Sequence, residues 1–160
     1  MQHEPKYPYQ PGHPDYDQYM SLKSMVDKMH GDNGIDINGS DISHRATAAL
    51  LRAYKAEALS DNATLDSKAA IDGVVLSRGN DRYDDIGGRY AILYQGDPNN
   101  PTVRTLAVST HELAQPAERN FDEINRINEQ RQQQLQQTQE RQQVQSRDTD
   151  QPNMGPRSLM

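Results

Sequence analysis

Apolar residues in this chain are concentrated between Tyr16 and Ile127, and within that window their rhythm changes from helical to extended and back. Tyr19, Leu22, Met25, Val26 and Met29 recur at helical spacing, as do Ile42, Ala46, Ala49, Leu50, Ala53 and Ala56. Ile71 to Leu76, Arg89 to Gln95 and Val103 to Val108 are instead short runs rich in β-branched and aromatic residues, which predicts three strands. Phe121, Ile124 and Ile127 restore the helical spacing. The order predicts an α+β fold, with a small three-stranded antiparallel sheet flanked by helices.

Only 33% of the 160 residues are hydrophobic, so a core exists only where they cluster. Three segments follow: an arm over residues 1–14, an α+β domain over 15–128, and a Gln-rich tail over 129–160. Pro5, Pro8, Pro11 and Pro14 alternate with Tyr7 and Tyr9 in the arm, a spacing that favours an extended, polyproline-like course. In the tail, nine of the fifteen residues from Arg131 to Gln145 are Gln. A heptad seam started at Phe121 and Ile124 meets Asn128, Arg131, Leu135, Thr138, Gln142 and Gln145, too polar to hold a coiled coil. The expectation is a tail helical near its start and disordered after Asp148.

Punctuation within the domain is explicit. Asp15 is placed to cap the first helix, and Ser40 or Asp41 the second. The succession Val74, Val75, Leu76 suggests a strand buried on both faces or at the sheet centre. Ser77 to Gly88 reads as a long polar loop, Gly96 to Pro101 as a turn, and Leu59 to Ala70 as a polar connection. Ser109 with Glu112 forms a capping-box pattern, and Pro116 suits the first position of the next helix.

Formal net charge is -6, and residues 1–118 carry all of the imbalance, with 11 Lys/Arg against 17 Asp/Glu. An acidic domain with no cluster of cations is poorly suited to nucleic acid. No apolar run approaches the roughly 18 residues of a membrane span, and no signal peptide opens the chain, so the expectation is a soluble, cytoplasmic protein at its origin. The absence of cysteine excludes disulfides, thiolate metal sites and a Cys nucleophile.

Chemical motifs are thin. Gly31 to Asp41 is rich in oxygen ligands, but any EF-hand register that puts Gly39 at the sixth position makes Gly34 the first ligand and Arg45 the twelfth. None of His3, His13, His30, His44 and His111 pairs with another at metal-ligand spacing, so neither a metal nor a cofactor is expected. Ser77 lacks an elbow sequence, Asp84-Asp85 sits in a polar loop, and Gly87-Gly88 precedes no helix start.

Four short pieces occur in a fixed order. They are His13-Pro14-Asp15-Tyr16, then Ile71-Asp72 with Val74-Val75-Leu76-Ser77, then Gln95-Gly96-Asp97-Pro98, then Gln115-Pro116-Ala117-Glu118. With the Gln-rich end, this set resembles the C-terminal secretion-signal domain of antibacterial type IV secretion effectors in Xanthomonas and its relatives, called XVIPCD. The match covers about Pro8 to Gln145 and departs from the family at the lengthened loop Asp81 to Gly88, at the long connection Leu59 to Ala70 and at Arg119-Asn120.

The resemblance implies a non-enzymatic, monomeric unit recognised by the helical domain of the type IV coupling ATPase. Recognition would lead to export from the donor cytoplasm into a rival bacterium. The motif residues would be structural or partner-binding, and a cognate immunity protein would be a partner only of an attached toxin half. Since no toxin half precedes the Pro/Tyr arm, an excised domain or an effector without an enzymatic half is expected. Two other classes compete: a small toxin enzyme acting through His111 and Glu112 or the Asp84-Asp85 loop, and an adaptor or oligomerisation module built on the tail helix.

Overall fold

A computed structural model describes residues 6–60, 63–66, 69–77 and 89–150. The elements run α1 (Tyr16–Asp32), α2 (Ile42–Ala58), β1 (Gly73–Leu76), β2 (Tyr90–Gln95), β3 (Arg104–Ser109), α3 (Thr110–Leu113) and α4 (Ala117–Asp150). The fold is α+β, with one antiparallel sheet in the order β1-β2-β3. The chain divides into two compact units, Met1–Ile124 and Asn125–Met160. The first carries the sheet, α1 to α3 and the first turns of α4; the second carries the rest of α4.

The helical stripes do become the core. Tyr19, Leu22, Val26 and Met29 of α1 are buried, as are Ala46, Ala48, Ala49, Leu50 and Leu51 of α2. Helix α2 lies against both α1 and α3, which is why it buries a consecutive run and not a single stripe. Its alanines permit that close approach. Of the expected stripe, Ile42 at the start of the helix and Ala56 near its end stay exposed, and Ala53 is half-buried. From the sheet come Val74, Ala91, Leu93 and Val108, and from the following helices Leu113, Ala117, Phe121 and Ile124. Each large aliphatic side chain so buried contributes about 1.5–3 kcal/mol against unfolding.

Three local expectations are corrected. Strand β1 is an edge strand, not the centre: Val74 is buried, while Val75 is 44% exposed. Side chains alternate along a strand, and only one face of this sheet meets the core, so adjacent valines part company. Secondly, neither Asp15 nor Asp41 caps its helix through its side chain, whereas Ser40, the alternative for α2, does accept from Ile42 N at 3.2 Å. Both aspartates have ψ near zero (9 and 15) where a capping residue is extended, so their carboxylates turn instead to Lys55 and Arg45. Thirdly, residues 6–14 do not form an extended arm. They turn through bonds from Gln10 N to Tyr7 O and from His13 N to Gln10 O, and Pro8 is fully buried.

The reason for that last change is aromatic. The Tyr7 and Tyr9 rings stack at 5.5 Å, and Tyr9 lies 5.5 Å from Phe121 and 5.1 Å from His44. Tyr19 and Phe121 close the cluster at 6.2 Å. Packing these rings against one another, with Tyr9 still 41% exposed, outweighs the solvation that holds a proline-rich strand extended.

Helix α4 runs through the Gln-rich segment to Asp150, with Leu135 exposed. The disorder expected after Asp148 is not met at Thr149 and Asp150, which still belong to α4; its remaining part, 151–160, lies outside the described residues, as do residues 78–88 of the expected loop.

Candidate functional site

The motif positions fall into three groups, each built on a different junction of the first unit. At the entrance to α1, the Asp15 N–H donates to His13 Nδ1 at 3.0 Å, so that ring nitrogen carries no proton. The Asp15 carboxylate receives Lys55 Nζ from α2 at 2.6 Å, with both side chains nearly buried. Pro14 stands between these two residues, and Tyr16 begins α1, its N–H donating to the His13 carbonyl.

The second group joins β1 to β2. Because Gly73 pairs with Tyr94, the residues just before β1 meet the residues at the end of β2. Asp72 N donates to the Tyr94 carbonyl at 2.9 Å, and Asp72 Oδ2 accepts from Gly96 N at 2.6 Å. Gly96 supplies the positive φ (101°) that the turn needs. The buried Gln95 side chain accepts from Asp66 N at 2.7 Å and donates to the carbonyls of Asp66 and Ala69. Ile71 is buried beneath, and Leu76 packs against the core. Ser77 bonds Tyr90 from both sides, its N–H to the Tyr90 carbonyl and its Oγ accepting from Tyr90 N. Asp97 Oδ1 accepts from Asn99 N, which sets the turn through Pro98.

The third group lies where α3 meets α4, and one of its residues, Gln115, lines a groove of about 600 Å³. Gln115 N donates to the Glu112 carbonyl, and its side chain spans from the His111 carbonyl (3.4 Å) to Arg119 Nη1 (3.5 Å). Pro116 precedes the first residue of α4, one position earlier than expected, and Glu118 lies in its first turn. Across the groove Arg52, from α2, gives Nε to Asn120 Oδ1 at 2.9 Å and Nη2 to Glu112 Oε2 at 3.4 Å. Ser109 Oγ does accept from Glu112 N, but the Glu112 carboxylate faces Arg52 and makes no reciprocal capping bond.

Sequence reasoning passed over Arg52, Lys55 and, as a groove residue, Asn120. A signal existed: Arg45 and Arg52 are seven residues apart on α2, on one helical face. Arg45 Nη1 reaches the Ala114 carbonyl, at the same junction. Of the competing enzyme candidates, His111 and Glu112 share the groove, whereas Asp84, Asp85 and Gly87-Gly88 lie outside the described residues.

Two histidines are internal. His30 Nδ1 meets Ser43 Oγ at 2.8 Å, and His44 Nδ1 meets Tyr19 Oη at 2.6 Å. Burial holds both imidazoles below their ordinary pKa, and burial with the nearby Asp27 pushes the Tyr19 phenol up to about 12. In the segment 31–41, Asp36 Oδ1 accepts from Asn38 N in a local turn. Among the described residues no group of three His, Asp or Glu is placed to hold a metal ion, and no helix is long and apolar enough to cross a membrane.

No protein-family model matches the chain, and no curated protein is similar to it.

Proposed function

We propose that this chain is a secretion-signal domain of the XVIPCD type, recognised by the helical domain of a type IV coupling ATPase and exported with, or as, an antibacterial effector. The observation that carries the reading is the use made of the motif side chains. Asp72 and Gln95, from separate pieces of the ordered set, both bond backbone across the β1–β2 junction. Asp15 joins the entrance of α1 to α2 through its ion pair with Lys55. Residues that hold a unit together in this way are the ones a family of recognition domains would keep in order while its surfaces varied. In this reading the folded unit presents the docking surface, and the Gln-rich part of α4 adds contacts or offers the chain end for threading.

Calorimetric titration of the chain into the purified helical domain of the coupling ATPase tests this, with and without residues 131–160. Saturable binding is the expected result, and the truncation assigns it to the folded unit or the tail. A chain that is folded by circular dichroism yet releases no heat would overturn the reading.

A further inference from the structure

The groove between α2, α3 and α4 has more hydrogen-bond donors than it uses. Asn120 is 6% exposed, and its amide orientation is fixed because Oδ1 receives Arg52 Nε. Turning the amide over would set two donors against each other. Its Nδ2 is therefore a true donor, and it is buried with no acceptor among the described residues. A donor left this way costs free energy unless something supplies an acceptor. Arg52 uses Nε and Nη2 only, and Arg119 makes one long bond to Gln115. On the acceptor side stand the carboxylates of Glu112 and Glu123.

We infer that this groove binds a carboxylate side chain on an extended segment of a partner polypeptide. Two guanidinium groups offer planar, paired donors that match a carboxylate. A dianionic phosphate suits the site less well, because it would bring two negative charges beside the Glu112 and Glu123 carboxylates where a carboxylate brings one. The groove, at about 600 Å³, is far larger than one carboxylate requires, so it has room for the residues on either side. Gln115 and the His111 ring, which lie along it, can pair with peptide N–H and C=O groups. This inference stands apart from the secretion reading and survives its failure.

The probe is the capped pentapeptide Ac-Ala-Ala-Glu-Ala-Ala-NH2, followed by the Arg52 Nε, Arg119 Nε and Asn120 Nδ2 resonances of the full chain. Saturable shifts of all three are expected, with none from the same peptide carrying Gln in place of Glu. Asn120→Asp keeps an acceptor for Arg52 but removes the orphan donor, and should weaken binding about tenfold or more. Arg119→Gln, at the exposed rim, should weaken it with no change in the chain's circular dichroism. Equal shifts from the Gln peptide, tighter binding of inorganic phosphate, or glutarate binding as well as the peptide would each overturn the assignment.

Discussion

The side-chain amide of Gln95 is bonded at both ends to the backbone of Asp66, with Oε1 accepting from the N–H at 2.7 Å and Nε2 donating to the carbonyl at 2.8 Å. It thereby acts as one more strand residue, pairing a polar connection that has no strand among its described residues. Gln95→Ala removes the pairing of these partly buried backbone groups. It should cost about 2–4 kcal/mol, summed over the bonds lost. Urea unfolding would read this as a lower midpoint at unchanged slope, and Gln95→Glu should recover little because it lacks the donor.

The Asp15–Lys55 pair is nearly buried, so removing one partner takes the 2.6 Å counter-ion from a charge with little access to water. Lys55→Met should lose about 3 kcal/mol, and Asp15→Asn a comparable amount. The double variant should lose clearly less than the sum. Additive losses in a double-mutant cycle would show that the pair is not coupled.

Gly73 is required by its cross-strand neighbour. A Cβ there would run into the Tyr94 ring, which lies over the glycine. Gly73→Ala should destabilise by about 1–3 kcal/mol, through overpacking. In a Tyr94→Ala background the same change should be close to neutral, and thermal melts of the four chains would compare the two.

His30 and His44 set an acid sensitivity. Burial lowers both pKa values in the folded chain, so the unfolded chain binds more protons once pH falls below the ordinary value of 6.5. Their contribution is complete above that value and is lost as pH falls through the lowered folded pKa. The urea midpoint should therefore drop between about pH 7.5 and about pH 5.5. His44→Gln and His30→Gln should each flatten that slope.

The second compact unit begins at Asn125, and most of α4 beyond it is exposed and polar. Ending the chain after Gln130 should leave the melting temperature of the first unit nearly unchanged while removing helical ellipticity in proportion to the residues lost. A large fall in melting temperature would mean that the Gln-rich helix supports the fold.

Local pattern alone determined a good deal here: the α+β class, the number and sequence of the strands, the helical stripes of Tyr19 to Met29 and Phe121 to Ile127, and the turns at Gly96 and Ser109. Each rests on periodicity or backbone preference among neighbours in the chain, which act before any distant contact forms. Tertiary structure decided the rest. Val75 is exposed because β1 took an edge, and Asp15 left its cap because Lys55 came within reach. Residues 6–14 folded down because Phe121 and His44, far along the chain, offered rings to cover. The groove is the clearest case, since Arg52 and Asn120 are 68 residues apart and the spacing of Arg45 and Arg52 along α2 gives no sign of Asn120. Contacts at such separation depend on how helices pack, and packing is a property of the whole core, which no short window of residues contains.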